Sequence, residues 1–176
     1  MKYLIVVLSA FMVLVGGWAS FGSTNQTTQT QTNNPVQYFL DLDKQKHLVQ
    51  KRQNLVLTSK NLVRFADKTP YVFSGSKPSG WDCSGLVVWT YKKIGITLPH
   101  SANKQAHLGK RVSKPKVGDI VVFAYPGSTS FYHSAIYLGD NKIINANLMY
   151  GTTKIQLLTD FKKSQIRFVR IVNEIV

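Results

Sequence analysis

The chain of 176 residues is long enough for about one ordinary domain, and its 44% hydrophobic and 11% aromatic content excludes a chain disordered throughout. Lys and Arg number 22 against 8 acids, a net charge of +14, so the surface attracts polyanions in a salt-dependent way. The cations are scattered, as at Lys44, Lys46, Lys92, Lys93, Lys162 and Lys163, with no helix-turn-helix, zinc-finger or RNA-binding signature. Specific nucleic-acid binding is therefore not expected, and anionic envelope polymers are the better partner for the basic surface.

Lys2 precedes an apolar run from Tyr3 to Val15 and a small-residue stretch ending at Ala19, the three-part form of a secretory signal. Apolar character continues to Phe21, so residues 1–21 fit either a cleaved signal peptide or an N-terminal membrane anchor. Both readings place the protein outside the cytosol, secreted or at the cell envelope. Residues 22–35, nearly all Ser, Thr, Asn and Gln, bury too little apolar surface to offset chain entropy and read as a flexible linker.

Asn34 as N-cap and Pro35 at the first helical position predict a helix through Leu48, a helical lead-in over residues 36–54. A second helix is expected from a cap at Ser59 through Leu62, Val63, Phe65 and Ala66, ending before Pro70, inside a domain spanning 55–176. Residues 74–80 read as a Gly-containing loop feeding a helix headed by Asp82 and Cys83 and closed by Gly95. A polar helix-compatible stretch covers 101–108. Strands follow at 120–124, 133–138, 142–146, 155–158 and 166–172, with Gly139-Asp140-Asn141 as hairpin chemistry. Helices first and strands afterwards predict an α+β fold with helices packed on an antiparallel β-sheet.

Cys83 is the one cysteine in the chain, so no intramolecular disulfide is available in a compartment that would permit one. At the head of a helix, free N–H groups and the helix dipole favour a thiolate, which predicts a lowered thiol pKa, ~3.5–7.5 where a cation helps. A thiolate nucleophile needs a histidine base. His47 sits among Lys and Gln and reads as solvated, and His100 and His107 flank a polar stretch. His133 opens an apolar strand, where a core position has no call for an imidazole, and is the preferred base.

Thr69-Pro70-Tyr71-Val72, Gly80-Trp81-Asp82-Cys83-Ser84-Gly85-Leu86, Gly118-Asp119-Ile120-Val121-Val122-Phe123 and His133-Ser134-Ala135-Ile136-Tyr137-Leu138-Gly139 together resemble the NlpC-type papain-like cysteine peptidases of bacterial cell walls. The resemblance runs from about Leu55 to Val172. It implies a thioester mechanism with Cys83 as nucleophile, His133 as base and Asn145 as the residue that orients the imidazole. It also implies substrate contacts at Tyr71, Asp82, Ser84 and His100, a substrate in peptidoglycan, and cleavage of the stem peptide after its D-glutamyl residue. Five positions in three places depart from the family pattern: Asn145 where histidine is frequent, Phe73-Ser74 for Trp-Gly, and His100-Ser101 for Arg-Thr. Asn147 competes with Asn145, because a tight turn at Asp140-Asn141 puts Asn145 opposite Ile136, roughly 10 Å along the strand from His133 unless a bulge intervenes.

Neither a close His pair nor a Cys pair is present, so no metal site and no cofactor are expected. Glu174 is the only Glu and the Asp residues are scattered, against the paired carboxylates a glycosidase needs. Amidase or bridge-peptide hydrolysis on the same fold stays open. A noncatalytic wall-binding or assembly module would have no use for Cys83, His133 and Asn145 together.

Overall fold

The computed structural model describes residues 34–172, so the expected export segment and nearly all of the linker lie outside the described residues. Asn34 caps helix α1 (Pro35–Asn61) by accepting the Val36 N–H at 3.0 Å, with Pro35 at the start where its missing donor is harmless. The second helix expected from Ser59 is instead the last part of α1. The buried Ser59 hydroxyl donates back to the Leu55 carbonyl at 2.7 Å, one turn earlier, and so cannot cap a new helix. A 3-10 turn (Leu62–Phe65) follows. Only Arg52, Leu55 and Ser59 of α1 are buried, so the helix is anchored by its C-terminal half. No helix among the described residues is long and apolar enough to cross a membrane.

Within the expected loop lies a small hairpin, β1 (Ser76–Lys77) with β2 (Gly80–Trp81). Helix α2 (Cys83–Lys92) comes next, then the short α3 (Ala102–Gln105) capped by Ser101. The sheet comprises β3 (Lys110–Val112), β4 (Ile120–Ala124), β5 (Phe131–Gly139), β6 (Lys142–Asn147), β7 (Thr152–Leu157) and β8 (Gln165–Arg170). Its order is β3-β8-β4-β5-β6-β7, antiparallel throughout. Several strand expectations change: β5 begins two residues before His133, and β8 covers 165–170 rather than 166–172. β3 was not foreseen, β7 begins three residues before Ile155 on polar Thr and Lys, and Leu158 belongs to a second 3-10 turn (Leu158–Phe161).

Both faces of the central strands are covered, which is why 120–124 reads as an unbroken apolar run. Leu55, Leu62, Leu86, Val87 and Tyr91 pack on Ile120, Val122, Ile136 and Ile144 on the helical side. Val121, Phe123, Ala135 and Ile143 pack with Phe161 and Phe168 on the other. Each such side chain contributes about 1.5–3 kcal/mol on burial.

Asp119, fully buried, ties the two halves of the chain together. It takes Arg52 of α1 at 3.1 Å, Arg170 of β8 at 2.7 Å and the Lys116 N–H at 2.8 Å. Gly118 beside it has φ +93°, and a Cβ there would come within 2.7 Å of Leu55. The Gly-Asp pair thus serves close packing of α1 on the sheet as well as the turn.

Candidate active site

The loop before α2 is held from below by Trp81, fully buried, whose indole N–H donates to Thr153 Oγ1 at 2.7 Å. Its ring meets Phe65 edge-on with centroids 5.2 Å apart. That fixes the next residue, Asp82, at the N-cap. The Asp82 carboxylate accepts from Gly85 N at 2.7 Å, Ser84 Oγ at 3.0 Å, Ser74 N at 3.0 Å and His100 Nε2 at 2.8 Å. An ionised carboxylate only accepts, so His100 must donate from Nε2. The proximity of loop and helix requires Gly85, where a Cβ would fall 1.9 Å from the Gly75 carbonyl oxygen.

Cys83 opens α2 and is half-buried. Pairing of β5 with β6 ends at Ile136–Ile144, and beyond it the Ser134 N–H, free of that ladder, lies near enough to the Cys83 sulfur to favour its thiolate. Burial pushes the Cys83 thiol up from its ordinary value, and the Asp82 carboxylate adds to the rise. N–H groups of Ser134, Ser84 and Cys83 itself oppose it without prevailing. The lowered pKa expected from the helix start is therefore corrected: desolvation of a thiolate outweighs the favourable amides.

His133 stands on β5, one residue before Ser134. Its ring lies 5.5 Å from Phe123 and 6.1 Å from Phe161, nearly parallel to the latter. The imidazole keeps some accessible surface, yet this apolar packing disfavours the charged form and lowers its pKa to about 4. His133 Nε2 lies 3.0 Å from Asn145 Oδ1, an acceptor, so Nε2 carries the proton and Nδ1 keeps its lone pair.

The β5–β6 hairpin explains how Asn145 gets there. Asp140 and Asn141 both have positive φ, 47° and 61°, the tight primed turn the sequence predicts. A register shift between Tyr137 and Gly139 then brings Ile144, not Asn145, opposite Ile136. Asn145 moves one place toward His133 and onto its face of the sheet. Asn147 lies farther along and donates to Gln156 at 2.9 Å.

Tyr71 sits close enough to Cys83 and Asp82 for their charges to add to the partial burial that raises its phenol. Ser84 is buried against Asp82, and Gln105 donates to the Ser84 carbonyl at 3.1 Å. The structure thus gathers Cys83, Asp82, Ser84, His100 and Tyr71 around the head of α2, with His133 and Asn145 on the adjoining strands. Among the described residues no group of three His, Cys, Asp or Glu could hold a metal ion.

Residues 68–170, more than half of the chain, match the NlpC/P60 family. The chain belongs to that family. It is 39% identical over 116 residues to the gamma-DL-glutamyl hydrolase of Bacillus subtilis (strain 168), covering 62% of this chain and 28% of that protein. It is 31% identical over 151 residues to the bifunctional muramidase/DL-endopeptidase CwlT of the same organism, covering 83% and 44%. A solved NlpC/P60 family protein from Bacillus cereus ATCC 10987 superposes with a TM-score of 0.60 at 29% identity, covering 69% of this chain and 40% of that one. The chain spans less than half the length of the curated relatives named here.

Two departures from the NlpC/P60 pattern acquire a structural description. Ser74, in place of the usual Gly, adopts φ 57°, a left-handed conformation that Gly occupies without strain, and gives its N–H to Asp82. Phe73 beside it is 84% exposed, so an aromatic ring two residues from Tyr71 stands out into solvent. Sequence reasoning missed the Ser134 N–H, Phe161 and Gln156. No residue pattern marks the first, and Phe161 on the second 3-10 turn and Gln156 on β7 come near His133 and Asn145 only through the fold.

Proposed function

We propose that this protein is an exported peptidoglycan hydrolase that cuts the stem peptide between its D-glutamyl residue and the following diamino acid. Cys83 attacks the scissile carbonyl, Nδ1 of His133 takes the thiol proton and returns it to the leaving amine, and water releases the acyl-enzyme. Asn145 holds the proton on Nε2 so that Nδ1 remains the base. Tyr71, Asp82, Ser84 and His100 line the approach. The observation that carries this reading is the His133 Nε2 contact with Asn145 Oδ1 at 3.0 Å, on the strand where the next residue, Ser134, has an N–H that favours the Cys83 thiolate.

The names of the relatives support the bond class, since one is a gamma-DL-glutamyl hydrolase and the other a DL-endopeptidase. The secretory form of residues 1–21 and the charge of +14 support action at the envelope, on a polymer network rich in anions. Purified muropeptides incubated with the protein and analysed by mass spectrometry test the bond. A new D-glutamyl carboxyl paired with a diamino-acid amine is the expected product, absent with Cys83→Ala. Release of the intact stem peptide from muramic acid sinks the assignment in favour of an amidase.

A further inference from the structure

We infer that Gln156 is a positioning residue that fixes the tautomer of His133 through Asn145, as the middle of an amide relay running from the β6–β7 loop to the imidazole. The inference rests on the reading of His133 as the base and deepens it.

Two backbone groups of fixed character bracket the relay. At one end the Lys154 carbonyl, which can only accept, lies 3.3 Å from Asn145 Nδ2. The Asn145 nitrogen is thereby turned away from His133, and its oxygen is what faces Nε2. At the other end the Met149 N–H, which can only donate, meets Asn147 Oδ1 at 2.9 Å, so Asn147 presents its nitrogen inward. Both nitrogens converge on Gln156 Oε1, at 3.1 Å from Asn145 and 2.9 Å from Asn147. Each member therefore has one orientation that satisfies it, and the proton on His133 Nε2 is the last consequence.

Strand geometry makes the convergence possible. Gln156 pairs with Ile143 and Asn145 with Lys154, so Ile143, Asn145, Asn147 and Gln156 share one face of the β6–β7 ladder. Asn145 itself is fully buried. Its amide would otherwise be held by one long bond to Lys154, and a flip would point Nδ2 at Nε2. An Nδ2 donor there favours the lone pair on Nε2 and the proton on Nδ1, which removes the base from the side it must serve. Gln156 opposes that flip by supplying a second acceptor that only the productive orientation can use.

The test compares Gln156→Leu, which deletes the acceptor, with Gln156→Glu, whose carboxylate can accept from both amides. Gln156→Leu is expected to lower kcat by about 10- to 100-fold, the usual loss on removing a partner that orients a functional imidazole, with KM little changed. Gln156→Glu should restore kcat to near the wild-type level. Two-bond proton–nitrogen spectra of His133 should report Nε2–H in the wild type and a mixture of tautomers in Gln156→Leu. Equal losses in both variants would indicate a merely structural role and overturn the inference, as would an Nδ1–H tautomer in the wild-type protein, which remains measurable even if Gln156→Leu fails to fold. Cys83→Ala runs in parallel. Hydrolysis that survives it overturns the reading of the site as a whole, whereas hydrolysis lost with Cys83→Ala and untouched by Gln156→Leu overturns the relay alone.

Discussion

Burial acts on Cys83 and His133 in opposite directions, raising the thiol and lowering the imidazole, because in each case desolvation penalises the charged form. Both groups are then neutral at neutral pH, and on the proposed mechanism the thiol proton moves as the substrate is attacked. The proposed base role of His133 requires it unprotonated, and protonation sets in only as pH falls through about 4. The acid limb of kcat/KM should accordingly lie near pH 4, well below the 6.5 of an ordinary imidazole. A limb near 6.5 would contradict the packing of His133 against Phe123 and Phe161. The same shift acts on stability: between about 6.5 and 4 the unfolded chain binds a proton that the folded one refuses. The contribution is complete above 6.5 and is lost as pH falls toward 4. Cys83 gives an independent check through alkylation by iodoacetamide. Its rate should keep rising with pH beyond the point where a free cysteine levels off, and an early plateau would mean that the N–H groups of Ser134 and Ser84 do hold a thiolate.

Helix α2 holds Cys83, the proposed nucleophile, in place because three separate segments close around its first turn. Asp82 caps it while also receiving the Ser74 N–H and His100, and Gln105 of α3 reaches the Ser84 carbonyl. The contact that leaves least room is between Gly85 and the Gly75 carbonyl, where a methyl group would sit 1.9 Å away. A backbone carbonyl cannot swing aside as a side chain does. Gly85→Ala should therefore destabilise the fold by ~3 kcal/mol, at the upper end of overpacking penalties, and reduce hydrolysis by displacing Cys83. Urea unfolding measures the first effect, and an unchanged midpoint would show that the loop at Gly75 is softer than the geometry implies.

Across the described residues, one buried carboxylate bridges helix α1 and strand β8. Asp119 lies between Arg52 of α1 and Arg170 of β8 with no accessible surface of its own. Removing it leaves two largely buried guanidinium groups without that counter-charge. Asp119→Ala is expected to cost about 3–5 kcal/mol, read from thermal or urea unfolding. A loss of under about 1 kcal/mol, the range of exposed pairs, would mean that apolar packing, as at Leu55, outweighs this ion pair in holding α1.

Much of this architecture was legible in local sequence. Asn34-Pro35 marks the start of α1, Asp82 and Gly95 bracket α2, and Asp140-Asn141 forms the tight turn, because caps and turns are set by a few neighbouring residues. The blocks around Cys83 and His133 likewise sufficed for the family. Ser59 misled because a hydroxyl can cap a helix or bond within one, and only its burial beneath α1 selects the second. β7 was read short because Thr152, Thr153 and Lys154 carry no apolar alternation. The state of Cys83 lay beyond local pattern, and of the partners of His133 only Asn145 was expected, through the family resemblance rather than the strand pattern. Sequence supplies a thiol at a helix head and two asparagines on a strand. The solvent excluded around the thiol, and the one-residue register shift that turns Asn145 toward His133 and Gln156 toward Asn145, arise only when distant strands pair, since burial and register are properties of the assembled sheet.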